Sequence, residues 1–199
     1  MIGNGGCEFE DPAGVNLLPY FWRAGTGDGA EHTFLYAAYC GLKGGVDGFA
    51  FGGAGGTVAL KNDSADPRQE KVAHGGLRYL EIVGQKPRSM CPDGLGFWSP
   101  SLPARPGDTV EVAFHVRGRD IKPVEGTALA AFVEFTDATG QHRQRVSLAG
   151  QKALGGSFEW TQVQAEATVP AGARRMRVFL GARPGTGVLL LDDIAIKVR

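Results

Sequence analysis

Gly187-Val188-Leu189-Leu190-Leu191-Asp192-Asp193-Ile194-Ala195-Ile196, near the carboxy terminus, reads as an apolar strand interrupted by two adjacent carboxylates. Successive side chains of a strand point to opposite faces, so strict alternation groups Val188, Leu190, Asp192, Ile194 and Ile196. Apart from Asp192 that set is apolar, which makes it the predicted core face and leaves Asp193 pointing away. A carboxylate so placed needs a cation, an ion-pair partner or hydrogen-bond donors, because burying it alone costs several kcal/mol or more. A purely local solution would be to cap nearby backbone amides or to pair with an arginine.

The rest of the chain is built from similar short segments. Val110, Val112, Phe114 and Val116 alternate with Glu111, Ala113, His115 and Arg117. Strands are also predicted at Thr57 to Lys61, Leu77 to Val83, Thr127 to Thr136, His142 to Leu148, Phe158 to Val169 and Arg174 to Ala182. Asp137-Ala138-Thr139-Gly140 has the composition of a hairpin turn. The 31 glycines and 11 prolines are spread between these segments rather than pooled in one linker. No stretch sustains a helical period. The prediction is an all-β chain, an antiparallel β-sandwich of about eight to eleven strands, forming a single domain over residues 1–199.

Composition excludes several function classes. Lysine plus arginine and aspartate plus glutamate each number 21, so no basic excess points to nucleic acid or an anionic membrane. No apolar run is long enough to span a bilayer as a helix. The opening Met1-Ile2-Gly3-Asn4 lacks the features of an export signal, so either a cytosolic protein or a piece of a longer exported chain is expected. Cys7, Cys40 and Cys91 have no C-x-x-C spacing, which argues against a cysteine zinc site or a disulfide framework. No Gly-x-Ser-x-Gly, His-Glu-x-x-His or phosphate-loop motif is present.

Five short motifs occur in a recognisable order: Asn4-Gly5-Gly6-Cys7-Glu8, His74-Gly75-Gly76-Leu77-Arg78-Tyr79-Leu80, Pro106-Gly107-Asp108-Thr109, Trp160 followed by Val169-Pro170-Ala171-Gly172-Ala173, and Leu191-Asp192-Asp193-Ile194. On these motifs the chain resembles carbohydrate-binding modules of the family 4/9/22 type, jelly rolls of the galactose-binding-like superfamily. The resemblance covers the amino terminus and residues 70–199. It does not extend over about 24–60, which reads as a Gly-rich insertion.

The resemblance implies a structural calcium (Ca2+) held by a first-strand glutamate, the last strand's first aspartate and backbone carbonyls. Here the metal ligands would be Asp192 with Glu8 or Glu10; alignment on Asn4-Gly5 selects Glu8, and alignment on Phe9-Glu10-Asp11 selects Glu10. Calcium accepts six to eight oxygens in loose geometry, which such a set supplies.

A sugar offers a weakly polar ring face and a fringe of hydroxyls, so its sites combine aromatic rings with charged and amide groups. The non-core strand faces carry such groups: His115 and Arg117, Phe132 and Glu134, Gln162 and Gln164, Arg177 and Phe179. If these strands share one sheet they form one groove. Trp22 and Trp98, beside turn signals, are candidate exposed stacking platforms, while Trp160 is expected in the core. The candidate ligand-binding set is thus Trp22, Trp98, His115, Arg117, Glu134 and Gln162, with no catalytic residue. The expected function is non-catalytic binding of a polysaccharide or oligosaccharide, as an extracellular or cell-surface accessory domain covalently linked to a catalytic domain. The alternative is a structural β-sandwich that packs against such a domain without binding sugar; a β-sandwich lyase or hydrolase is a third possibility.

Overall fold

The computed structural model describes residues 23–26, 42–45, 48–51, 56–63, 70–84, 94–140, 143–148 and 154–199. Among the described residues there is no helix, and thirteen strands are present. They are β1 (Arg23–Thr26), β2 (Leu42–Gly45), β3 (Gly48–Phe51), β4 (Gly56–Asn62), β5 (Arg78–Gly84), β6 (Leu95–Trp98) and β7 (Leu102–Pro103). The series continues with β8 (Thr109–Pro123), β9 (Leu129–Thr136), β10 (Arg143–Ser147), β11 (Gly156–Thr168), β12 (Arg175–Ala182) and β13 (Gly185–Val198). One sheet runs β1-β6-β12-β9-β10, with β7 also against β12; the second runs β11-β8-β13-β5-β4. We call them the β12 sheet and the β13 sheet after their central strands. All pairings are antiparallel, and β2 and β3 form a separate hairpin.

The alternation of β8 is borne out: Val110, Val112, Phe114 and Val116 are buried in the core, and Glu111, Ala113, His115 and Arg117 lie on the other side, half-buried. Facing them across the sandwich are Leu129, Ala131, Val133 and Phe135 of β9, Met176, Val178 and Leu180 of β12, and Phe97 of β6. Removing this apolar surface from water is the main force that holds the two sheets together.

The last strand departs from strict alternation. Leu189 and Leu191, not Val188 and Leu190, enter the sandwich core, followed by Ile194 and Ile196. The phase is reset by a bulge: Asp192 pairs with His115 and Ala195 with Ala113, so Asp193 and Ile194 together oppose Phe114. Asp193 adopts φ 48°, the left-handed region that aspartate tolerates better than most residues. A period-2 reading is blind to such an insertion. Asp192 therefore sits on the outer side of the β13 sheet rather than between the sheets, yet it is fully buried.

Its cover is the segment Glu70 to Leu77, which we call the strap. Asp192 Oδ2 accepts the backbone N–H groups of His74 (2.9 Å) and Gly75 (3.0 Å), and Oδ1 accepts that of Asp193 (2.7 Å). Among the described residues, local amide capping is thus the partner that Asp192 has. Burial pushes its carboxyl up to about 6, against the pull of these amides and with a smaller push from the Asp193 charge. Asp63 does the same work at the other end of the strap, accepting the N–H groups of Val72 (2.9 and 3.0 Å) and Ala73 (2.9 Å). Trp160 closes the cover: its Nε1–H donates to the Val72 carbonyl at 3.0 Å, and its ring packs with Tyr79, Val188 and Leu190. Trp160 was expected in the core; it roofs an outer cluster instead, because β11 edges the β13 sheet and turns that face toward the strap.

An Asp192→Ala variant leaves three inward-pointing amides without their acceptor and is expected to lose about 3 kcal/mol of stability. Urea unfolding followed by tryptophan fluorescence measures this, and a loss below about 1 kcal/mol would show that the strap is held by other contacts.

Candidate functional site

The two sheets each have an outer face, and the polar groups read from the sequence divide between them. On the β12 sheet the register stacks three rows. Gly25, Gly96, Gly181 and Ala130 align in one; Trp98, Phe179 and Phe132 in the next; Arg177, Glu134 and Arg145 in the third. The first row is small of necessity at Gly181, where a Cβ would stand 2.8 Å from the Phe179 ring.

The aromatic row is continuous. Phe132 and Phe179 stack with centroids 5.0 Å apart, and Trp98 contacts Phe179 at 4.9 Å and Phe132 edge-on at 5.5 Å. Charge lies directly over it: the Arg177 guanidinium is 4.0 Å from the Trp98 ring centre, and that of Arg145 is 4.7 Å from Phe132. Such cation–ring contacts stabilise by about 0.5–2 kcal/mol, the more so when water is excluded. Glu134 holds the two arginines in place. Its side chain is fully buried; Oε1 accepts from Arg177 Nη2 (2.9 Å) and Nε (3.0 Å), and Oε2 accepts from Arg145 Nε (3.0 Å). A buried carboxylate between two guanidiniums is weak as a stabilising device, because desolvation offsets most of the attraction. Its value lies in fixing positions.

The outer face of the β13 sheet is different. His115 stacks on His74 of the strap at 3.7 Å, and burial, then the neighbouring His74 charge, lower its pKa against the opposing effect of Asp193. Arg117 is engaged by Glu159 (3.2 Å) and Glu70 (3.4 Å), which ties the strap to β11. Gln162 is exposed and pairs with His115 in the β8–β11 ladder.

The predicted single groove is therefore not formed. His115, Arg117 and Gln162 belong to one outer face and Glu134 to the other, because β8 and β11 join the β13 sheet whereas β9 joins the β12 sheet. Trp98 was expected as an exposed platform beside a turn; it is fully buried, in a strand, beneath Arg177. Trp22, Glu8 and Glu10 lie outside the described residues. The role of Arg145 was missed. The hairpin supplied the signal: pairing Thr136 with Arg143 brings Arg145 opposite Glu134.

The chain matches no family model and no curated protein sequence. Solved structures match it at low identity. The Stig cyclase Fisc from Fischerella sp. TAU has a TM-score of 0.56 at 11% identity, covering 100% of this chain and 96% of its own. A xylan-binding domain of carbohydrate-binding module family 22 has a TM-score of 0.52 at 15% identity, over 98% and 96%. The enzymatically active domain of tailspike protein 4 from bacteriophage CBA120 has a TM-score of 0.52 at 13% identity; it covers all of this chain, which spans 21% of that one. At such identities the likeness establishes the fold, an antiparallel β-sandwich shared with carbohydrate-binding modules, as the sequence motifs implied.

Replacing Glu134 with Ala strands two guanidiniums, and its cost is expected at about 3–5 kcal/mol, whereas Arg145→Ala at the half-exposed end costs about 1 kcal/mol. Parallel urea titrations check this ordering, and equal losses would show that losing Arg145 alone costs as much as losing the carboxylate that holds both arginines.

Proposed function

We propose that this chain is a non-catalytic carbohydrate-binding module whose ligand face is the outer face of the β12 sheet. One observation carries the reading: a fully buried Glu134 fixes Arg177 and Arg145 beside a row of three aromatic rings, on a face that the sandwich core does not use. Aromatic surface beside fixed donors and acceptors is what a pyranose ring with its hydroxyls requires. Phe132 is the half-exposed ring of the row, with the Arg145 guanidinium within 4.7 Å of it. The reading keeps Glu134 from the sequence-derived set and adds Phe132, Arg145 and Arg177. The shared fold with a xylan-binding domain makes xylan the first ligand to try.

In this reading the module belongs to a larger extracellular or cell-surface protein and acts by proximity. Binding a sparse or insoluble polysaccharide raises the effective concentration of an attached catalytic domain without any new chemistry. A second reading has its own support: Trp98 and Phe179 are fully buried, as they are in a face that serves packing alone. It makes the chain a structural module.

Affinity electrophoresis over neutral and acidic polysaccharides, xylan among them, separates the two. Retardation by at least one polymer is expected, with Phe132→Ala and Arg145→Ala each weakening it about tenfold, equivalent to about 1.4 kcal/mol. No retardation by any polymer, or unchanged retardation of both folded variants, rejects the binding face. Release of soluble product from any polymer would instead favour an enzyme.

Calcium is a separate part of the proposal, resting on the sequence resemblance. An ionised carboxylate offers about four lone-pair sites, and among the described residues three N–H donors meet Asp192, which leaves one site there for a cation shared with Glu8 or Glu10. If calcium binds there, a calcium-selective chelator lowers the thermal midpoint; an unchanged midpoint removes calcium from the account.

A further inference from the structure

We propose that His74, His115 and Asp193 form a binding site for a first-row divalent transition ion, of which zinc is the probe of choice. One donor atom from each lies within 4.8 Å of the others. The three come from separate elements: the strap, β8 and the bulge of β13. The site does not depend on the sugar-binding reading, since it lies on the opposite sheet.

Three observations carry the proposal. The bulge re-aims Asp193: unbroken alternation after Asp192 would send it toward the core, whereas its left-handed backbone brings its carboxylate to 2.6 Å from His74 Nδ1. Bulges are found where a strand must redirect a functional side chain. Gly75 makes room for that carboxylate, since a Cβ there would stand 2.7 and 2.9 Å from its two oxygens. Among the described residues, His115 Nδ1 is buried without a hydrogen-bond partner. A buried ring nitrogen with an unused lone pair or proton is costly, and a metal ion is one group that satisfies it.

The donor chemistry selects the ion. Two imidazoles and a carboxylate suit zinc and its first-row neighbours, whereas calcium takes oxygens. Three protein ligands leave a fourth tetrahedral position for water or an incoming group. The two rings are stacked, 3.7 Å apart and 14° from parallel. A metal lies in the plane of each imidazole that binds it, so one ring must turn. His74, exposed on the strap, is the ring placed to do so, exchanging its 2.6 Å contact with Asp193 for the ion. Zn–N distances of about 2.0–2.1 Å then draw the donors together, which pins the strap to β8 and β13.

The test is titration of the whole chain with zinc in competition with a chromophoric chelator, together with the thermal midpoint. Uptake of one equivalent and a rise in midpoint are expected, with His74→Ala, His115→Gln and Asp193→Asn each weakening uptake at least about tenfold. Because His74 is exposed, its variant keeps the test valid should His115→Gln fail to fold. A variant with Cys7, Cys40 and Cys91 changed to serine is expected to bind as the parent does. No uptake, uptake unchanged in His74→Ala, or uptake lost with the cysteines would each overturn the proposal.

Discussion

Four consecutive backbone amides, those of Val72, Ala73, His74 and Gly75, are taken up by two carboxylates, Asp63 and Asp192. This is the constraint on which the β13 side of the molecule depends. A strap lying across a sheet cannot use ladder hydrogen bonds, so its inward N–H groups need acceptors supplied from outside. Asp63 follows β4, an edge strand, and Asp192 lies in the central strand, so the strap is anchored both at the rim and in the middle. With its backbone fixed, it carries His74 onto His115, offers the Val72 carbonyl to Trp160 and brings Glu70 to Arg117. A charge that looked anomalous in an apolar strand is the acceptor around which a covering segment is laid down.

The opposite outer face solves a different problem. There the buried charge is Glu134, and its partners are side chains rather than amides. Each guanidinium also lies over an aromatic ring, so the ion-paired row and the aromatic row are locked to each other. Long arginine side chains would otherwise lose rotamer freedom on meeting a ligand; fixed beforehand, they lose less. That pre-organisation, beside an aromatic cluster separate from the inter-sheet core, is the physical reason for proposing ligand binding there and not on the strap side.

Much of the sandwich was legible in the sequence. The strands β4, β5 and β8 to β13 follow from alternation and turn residues, although β8 runs on to Pro123, past the Arg117 where its alternation was read, and the outward placement of His115, Arg117, Glu134 and Gln162 is correct residue by residue. What alternation cannot report is which sheet a strand joins, so one groove was expected where two faces exist. Nor can it report a bulge: Leu189 and Leu191 are as apolar as Val188 and Leu190, and either phase of β13 gives a plausible core. Trp98 was misplaced for a related reason. Leu95-Gly96-Phe97-Trp98 is short, flanked by glycine and proline, and buried on both faces, which leaves no period to detect.

Taken together, the fold places a rigid aromatic and ionic layer, which Phe132 and Arg145 bring to the surface, on one side and a carboxylate-anchored strap with a histidine pair on the other. The central claim is that the first of these receives carbohydrate. The most direct measurement is a backbone amide NMR titration with a retained oligosaccharide. The account predicts shifts concentrated on β9, β10 and β12 around Phe132, Glu134, Arg145 and Arg177. Shifts confined to the strap, β8 and β11, or no shifts with any oligosaccharide tried, would contradict it.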